Sequence, residues 1–368
     1  MPGAEPPTGP LERIARDEAA ARQRLDPAVH GYFAGGAGRE QTLDEVEPQW
    51  RALWLRPRVL RDVREVSTAV TLLGETLTAP VVLAPVAACG LVHPEGECAA
   101  ARAAQAAGTV FCMPTRATRD LAEVAAAAPT GARWFQLYVA ADRELTARVL
   151  ARAAAAGYSR IVLTVDLPVG AWRPREAGTP LALAPGIAIA DHLGEPAHPA
   201  DAPARVKPLA GGWDAGLTWS DVAWVAETAG LPVIVKGILT GEDARLAVEH
   251  GAEAVVVSNH GARQLDGAVP AAVALEEVVG VVGGRIAVLV DGGIRCGADI
   301  ARALALGADA VMIGRPWLWA LAAGGEEEIT ALLEALRDDL SRTLALLGCR
   351  SPAELGREHV RRSTPPLG

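Results

Sequence analysis

Eight times between Pro80 and Ala322, a short apolar, β-prone run is followed by a helical pattern. The runs are Pro80–Pro85, Thr109–Met113, Trp134–Val139, Arg160–Val165, Pro232–Lys236, Ala254–Val257, Ile286–Val290 and Ala310–Ile313. Between them lie helical stretches such as Arg143–Ala156, Gly241–His250 and Ala298–Leu306. Strands that are apolar throughout, not only at every second residue, are buried on both faces, as parallel strands covered by helices are. Eight such units close on themselves, so the spacing predicts the α/β class and a (β/α)8 TIM barrel. By length the 368 residues would allow two domains, but barrels of this kind reach similar lengths as one. With no internal boundary visible, residues 1–368 are expected to form a single barrel domain.

An N-terminal helical extension precedes the barrel. After a disordered lead, Met1–Pro10, with no signal-peptide pattern, Leu11–Leu25 reads as a helix. Asp26-Pro27 is a capping residue followed by proline at the first helical position, and it opens a second helix. The glycines of Gly35-Gly36-Ala37-Gly38 stop that helix and leave Tyr32 near its exit. From Trp50 to Pro80 short β-prone segments suggest a hairpin that turns at Gly74 and packs over one end of the barrel. The alternation breaks between Leu167 and Thr218, a long Pro/Gly/Ala/Asp-rich stretch that reads as a lid loop after the fourth strand. Glu326–Leu347 is a long amphipathic helix or a pair of helices.

Charge and composition exclude several partners. The net charge is −9 with no basic block, which argues against nucleic acid. No apolar run reaches the roughly 18 residues a membrane helix needs. Five cysteines without a C-x-x-C pair point to free thiols in a reducing, cytoplasmic setting.

In a barrel of this class the active site forms where the strands end. Those positions hold Gln136 and Tyr138, Thr164 and Asp166, Lys236, Ser258 with His260 and Arg263, Asp291 to Arg295, and Gly314-Arg315. His260 is a titratable base beside the planar cation Arg263, which can hold a carboxylate with two parallel hydrogen bonds. Glycine-flanked backbone and arginines after the last two strands imply a phosphate-bearing cofactor. Lys236 needs an anionic partner, which a reduced flavin provides and a nicotinamide does not. No Gly-x-Gly-x-x-Gly follows a strand, which weighs against a dinucleotide.

Ser258-Asn259-His260-Gly261-Ala262-Arg263-Gln264 is accompanied by Phe135-Gln136-Leu137-Tyr138, Leu163-Thr164-Val165-Asp166 and Val235-Lys236-Gly237. With His93-Pro94-Glu95-Gly96-Glu97, Asp291-Gly292-Gly293 and Gly314-Arg315-Pro316, the set resembles the FMN-dependent 2-hydroxy acid oxidase and dehydrogenase family. Glycolate oxidase, lactate oxidase and mandelate dehydrogenase are its familiar members. The resemblance implies that His260 takes a proton from the substrate, that Asp166 orients it, and that Arg263 and Tyr32 hold the carboxylate. It implies that Tyr138 meets the substrate hydroxyl. A second arginine follows the fourth strand: ungapped counting selects Arg173, a two-residue shift Arg175. FMN would lie along Pro85, Val86 and Ala87, with Gln136, Thr164, Lys236 and Ser258 around its ring. Asp291, Gly293, Arg295, Gly314 and Arg315 would hold its ribityl chain and phosphate. The implied product is a 2-oxo acid, with oxygen or another acceptor reoxidising the flavin, and the implied assembly is a homotetramer.

Two positions depart from the family. Pro114 stands where a serine is usual, so that contact is lost unless Thr115 supplies it. Arg116 replaces a residue that is often apolar or aromatic and faces the substrate's side chain. It is expected either to recognise a polar or anionic substituent, or to reach solvent or a carboxylate of the lid. A soluble oxidase is the favoured reading, because Leu167–Thr218 is short of large apolar residues. The alternatives are a dehydrogenase that passes electrons to a quinone or cytochrome, and an FMN-binding barrel with isomerase or non-redox function.

Overall fold

The computed structural model describes residues 9–176 and 213–363. Much of the 167–218 lid stretch and of the Met1–Pro10 lead therefore lies outside the described residues. Eight parallel strands form a closed barrel: β1 (Val81–Leu83), β2 (Val110–Met113), β3 (Ala132–Leu137), β4 (Arg160–Thr164), β5 (Val233–Ile238), β6 (Ala254–Val257), β7 (Ala287–Asp291) and β8 (Ala310–Ile313). β8 closes the ring on β1, pairing Val311 with Val81 and Ile313 with Leu83.

Side chains alternate across a strand, so every second residue points into the barrel. Val82, Val110, Trp134, Val162, Ile234, Val256, Leu289 and Met312 fill its interior, and Leu72 and Leu77 close it from below. Those two leucines belong to the antiparallel hairpin Val70–Leu72/Glu75–Leu77, which turns at Gly74 as the sequence suggests. Two residues further along the same strands, the inward positions become Gln136, Thr164, Lys236 and Asp291, all buried. The strand period thus sets a polar layer on top of an apolar plug. The outward residues, among them Leu83, Phe111, Phe135, Leu163 and Val235, pack under the helices in a second core.

The helix Pro27–Ala34 starts where Asp26 accepts from the Ala28 N–H at 2.8 Å. The helix Gln41–Arg51 differs from the expectation, which began a β-prone region at Trp50. Thr42, Val46 and Trp50, spaced i, i+4, i+8, form its buried face, and that spacing is the signal that identifies it. Leu53–Leu55 pairs antiparallel with Val360–Arg362. The C-terminal helical segment Arg315–Leu347 is broken at Gly324 and Gly325, the latter at φ 68°, so the stretch Glu326–Leu347 beyond the break is one long helix.

Candidate active site

The loop after β6 carries His260, the titratable side chain that the sequence reading expects to act as the base. His260, Gly261 and Ala262 all have left-handed backbone, at φ 61°, 62° and 62°. Such a run costs energy for the two residues that carry a Cβ, and it persists only where the surroundings hold it. Here Ser258 Oγ accepts from the His260 N–H at 3.1 Å, and Asn259 Oδ1 accepts from the Ala262 N–H at 3.1 Å. Arg315 donates to the Gly261 carbonyl at 3.0 Å, and the Ala37 N–H to that of Ala262 at 2.9 Å. The imidazole is thereby aimed between two partners. Nδ1 lies 2.8 Å from Asp166 Oδ1, and Nε2 lies 3.2 Å from the Tyr138 hydroxyl.

Asp166 approaches because residue 237 is glycine: at φ 116°, a Cβ there would stand 2.7 Å from the Asp166 Cβ. Burial pushes the Asp166 carboxyl up, but His260 and Lys236 outweigh it and hold it below the ordinary value. Burial would lower Lys236, yet Asp291 at 2.9 Å, with Asp166, keeps the ammonium above its ordinary value. The anionic partner that the sequence argument requires of a buried lysine is thus present in the protein itself. Burial and Asp166 raise the Tyr138 phenol well above its usual range, so it stays protonated.

Arg263 donates through Nη1 to the Tyr32 and Gly35 carbonyls at 2.6 and 2.9 Å, with its guanidinium 5.0 Å from the Tyr32 ring centre. Arg173 sits against it, Nε donating to the Arg263 carbonyl at 2.8 Å and Nη2 to Gln264 at 3.1 Å. Arg175 turns away and pairs with Glu40. Of the two arginines the sequence left open, Arg173 is the one the structure brings to the cleft.

The cleft encloses about 1350 Å³ of open space, its solvent-filled mouth included. Tyr32, Tyr138, His260, Arg173, Arg263 and Arg116 line it, with Pro85, Val86, Ala87, Gln136, Thr164, Lys236, Asp291, Gly293, Arg295, Gly314 and Arg315. Thr115 and Ser258 do not reach its wall. Thr115 is fully buried; its Oγ1 donates to the Gln136 carbonyl at 2.6 Å and accepts from the Tyr138 N–H at 2.9 Å. It positions those two residues and does not replace the hydroxyl lost at Pro114. Ser258 Oγ is taken by Lys236 at 2.8 Å and by the His260 N–H.

Sequence reasoning did not single out Trp213, which lines the cleft with its ring 4.7 Å from that of Tyr138. A tryptophan inside a stretch of small and polar residues was the available signal. Trp50, also overlooked, donates from Nε1 to the Gly292 carbonyl at 2.7 Å. A Cβ on Gly293 would stand 2.6 Å from the Val46 carbonyl, so this helix rests directly on the Asp291-Gly292-Gly293 turn.

These residues fit a flavin mononucleotide. Asp291 Oδ1, on a residue of the cleft wall, is buried without a hydrogen-bond partner among the described residues. Gln136, Thr164 and Lys236 offer donors to a polar heteroaromatic edge. Arg315 donates to the Phe33, Gly261 and Gly35 carbonyls at 2.9, 3.0 and 3.0 Å, which leaves two of its five N–H groups. Burial, and then repulsion from Arg263 and Arg295, brings its pKa down to about 9. A phosphate would relieve that strain.

A closed barrel with a histidine–aspartate pair, an arginine pair and this cleft defines a flavin-dependent oxidoreductase. The chain belongs to the FMN-dependent dehydrogenase family, whose model matches residues 21–362. It is 44% identical to glycolate oxidase of Spinacia oleracea over 353 residues, 95% of either chain. It is 42% identical to glycolate oxidase 3 of Arabidopsis thaliana, over 95% of this chain and 96% of that one. A crystal structure of mandelate oxidase with (S)-4-hydroxymandelic acid superposes with a TM-score of 0.86 at 40% identity, covering 95% and 98% of the two chains.

Proposed function

We propose that this FMN-dependent 2-hydroxy acid oxidase acts on an L-2-hydroxy acid with a side chain larger than glycolate's, passing the electrons to O2 to give H2O2. The observation that carries the reading is His260, braced by Asp166 at 2.8 Å, facing the same cleft as Arg263 and Arg173. The arginines hold the substrate carboxylate, with the Tyr32 side chain beside it. Tyr138 donates to the substrate oxygen, and the proton leaving the substrate passes to His260 Nε2. Asp166 keeps Nδ1 protonated and stabilises the imidazolium as it forms. Bound FMN would supply the two-electron acceptor for this oxidation, with oxygen as the final acceptor. Pro85, Val86, Ala87, Gln136, Thr164, Lys236, Asp291, Gly293, Arg295, Gly314 and Arg315 would hold it, with Ser258 acting through Lys236.

Trp213, which stands beside Tyr138, lines the cleft with Leu167 and Arg116, and the three would meet the substrate's side chain. An aryl or polar side chain, as in mandelate-like acids, suits that wall, with Arg116 reading a polar or anionic substituent. An anaerobic screen of 2-hydroxy acids, followed by bleaching of the flavin, tests the reaction and the substrate class together. Arg116→Ala is expected to lose turnover selectively on a dicarboxylic hydroxy acid relative to lactate and mandelate; an even loss sinks that assignment.

Pro114 in the cleft wall favours a second reading, a slow reaction with oxygen and another natural acceptor. Oxygen uptake with peroxide detection separates the two. The five cysteines are all free, which supports a reducing, cytoplasmic setting. Among the described residues no helix is long and apolar enough to cross a membrane. A homotetramer is the assembly we propose, and light scattering on the purified protein tests it.

A further inference from the structure

Glu176 lies outside every role assigned above, yet its carboxylate joins both substrate-facing arginines. Oε1 accepts from Arg263 Nη2 at 2.9 Å and from Arg173 Nη1 at 3.2 Å. The local cause is the turn Pro174–Glu176, a single 3-10 turn opened by proline, in which the Glu176 N–H bonds the Arg173 carbonyl at 3.0 Å. An i, i+3 spacing on such a turn brings the two side chains to one side. Arg175, between them, is thrown to the other side and pairs with Glu40.

Two guanidinium groups this close repel each other, and Arg173 is among the groups that push Arg263 down after burial, while Glu176 opposes it. Both arginines line the cleft, and Glu176 is not among its lining residues. The bridge leaves donors free on both arginines. Arg263 spends both Nη1 hydrogens on carbonyls and one Nη2 hydrogen on Glu176, which leaves Nε–H and one Nη2–H. Arg173 spends Nε–H on the Arg263 carbonyl, one Nη2 hydrogen on Gln264 and one Nη1 hydrogen on Glu176, which leaves one N–H on each Nη. Each arginine retains two donors, the number that a carboxylate accepts in parallel.

We propose that Glu176 is a positioning residue: its one bridging oxygen fixes Arg173 and Arg263 as a rigid pair spaced to receive the substrate carboxylate. The proposal rests on the reading of Arg173 and Arg263 as the carboxylate clamp. Because the pair meets a carboxylate that is unchanged through the reaction, loosening it weakens ground state and transition state alike, which raises KM and spares kcat.

The test uses holoenzyme titrated with pyruvate, a 2-oxo acid, the dissociation constant being read from the flavin spectrum, together with KM and kcat on the best substrate of the screen. Glu176→Ala is expected to weaken pyruvate and raise KM about tenfold, with kcat within about twofold of native, the size of one charge-assisted hydrogen bond. Glu176→Gln keeps the bridging oxygen and is expected to stay within about threefold of native; a glutamine variant as weak as the alanine variant overturns the proposal. Tighter pyruvate binding in Glu176→Ala overturns it too, by making Glu176 a competitor of the substrate, and so does unchanged binding. Arg263→Ala separates the two levels. If it leaves pyruvate binding intact, the clamp reading itself falls; if it weakens binding while Glu176→Ala does not, only the role of Glu176 falls. Native FMN content and an unchanged thermal midpoint in both Glu176 variants identify the effect as local.

Discussion

Replacing Asp166 with asparagine tests the link between local geometry and chemistry most directly. The carboxylate lies 2.8 Å from His260 Nδ1, is largely buried, and is held ionised against burial by His260 and Lys236. Asparagine keeps an oxygen in nearly the same place but removes the charge that stabilises the imidazolium. A hydrogen bond to a charged group contributes about 1.5–3 kcal/mol, so the rate of substrate-driven flavin reduction is expected to fall about 10- to 150-fold. The loss belongs to the proton-accepting step, so it appears in anaerobic stopped-flow reduction, while pyruvate binding changes little. The pH dependence follows in sign. Asp166 has a folded-state pKa below its unfolded value, so its contribution to stability is present above the ordinary carboxyl range and is lost as pH falls through the lower, folded value. Asp166→Asn is therefore expected to unfold with a weaker dependence on pH on the acid side. A variant that reduces its flavin at the native rate, or whose defect lies in KM alone, refutes the assignment of Asp166 as the partner of His260.

Two further outcomes follow from the geometry. Gly237→Ala places a Cβ 2.7 Å from that of Asp166 at φ 116°, a strain of about 1–3 kcal/mol. It is expected to lower the thermal midpoint and to slow flavin reduction by displacing Asp166; native values for both would show that the close approach is dispensable. Glu97, fully buried, accepts from the Cys89 and Thr118 N–H groups at 3.1 and 3.0 Å and from the Thr118 hydroxyl at 2.7 Å, joining the loops after β1 and β2. Burial holds its carboxyl above the ordinary 4.5, so the folded chain binds that proton more tightly than the unfolded one. Stability is then expected to decline as pH rises from 4.5 through the raised folded value, and Glu97→Gln to remove that decline in thermal-melt profiles. A glutamine variant with the native slope would refute this.

Much of the site is legible in the sequence for one reason: the barrel is periodic. Strand register alternates by two, so once Trp134, Val162, Ile234 and Leu289 are read as interior, Gln136, Thr164, Lys236 and Asp291 follow as the residues at the mouth. The same logic places His260 and Arg263 just past a strand end. Trp213 and Glu176 are not legible in this way, because they lie in the aperiodic stretch after β4, where no repeat assigns a side chain to a face. Thr115 and Arg315 are legible as residues near the site but not in what they bond, since hydrogen-bond partners distant in sequence decide that.

The barrel, the polar layer and the placing of His260 beside Arg263 past a strand end follow from residue order alone, because these depend on local hydrophobic period and on residue chemistry. Packing between distant segments sets which of Arg173 and Arg175 faces the cleft, pairs Asp291 with Lys236, and buries Thr115 and Ser258 away from the cleft wall. Each of those outcomes depends on a contact between segments far apart in the chain, or on which side of a turn a side chain leaves it. Only packing in three dimensions chooses among such alternatives.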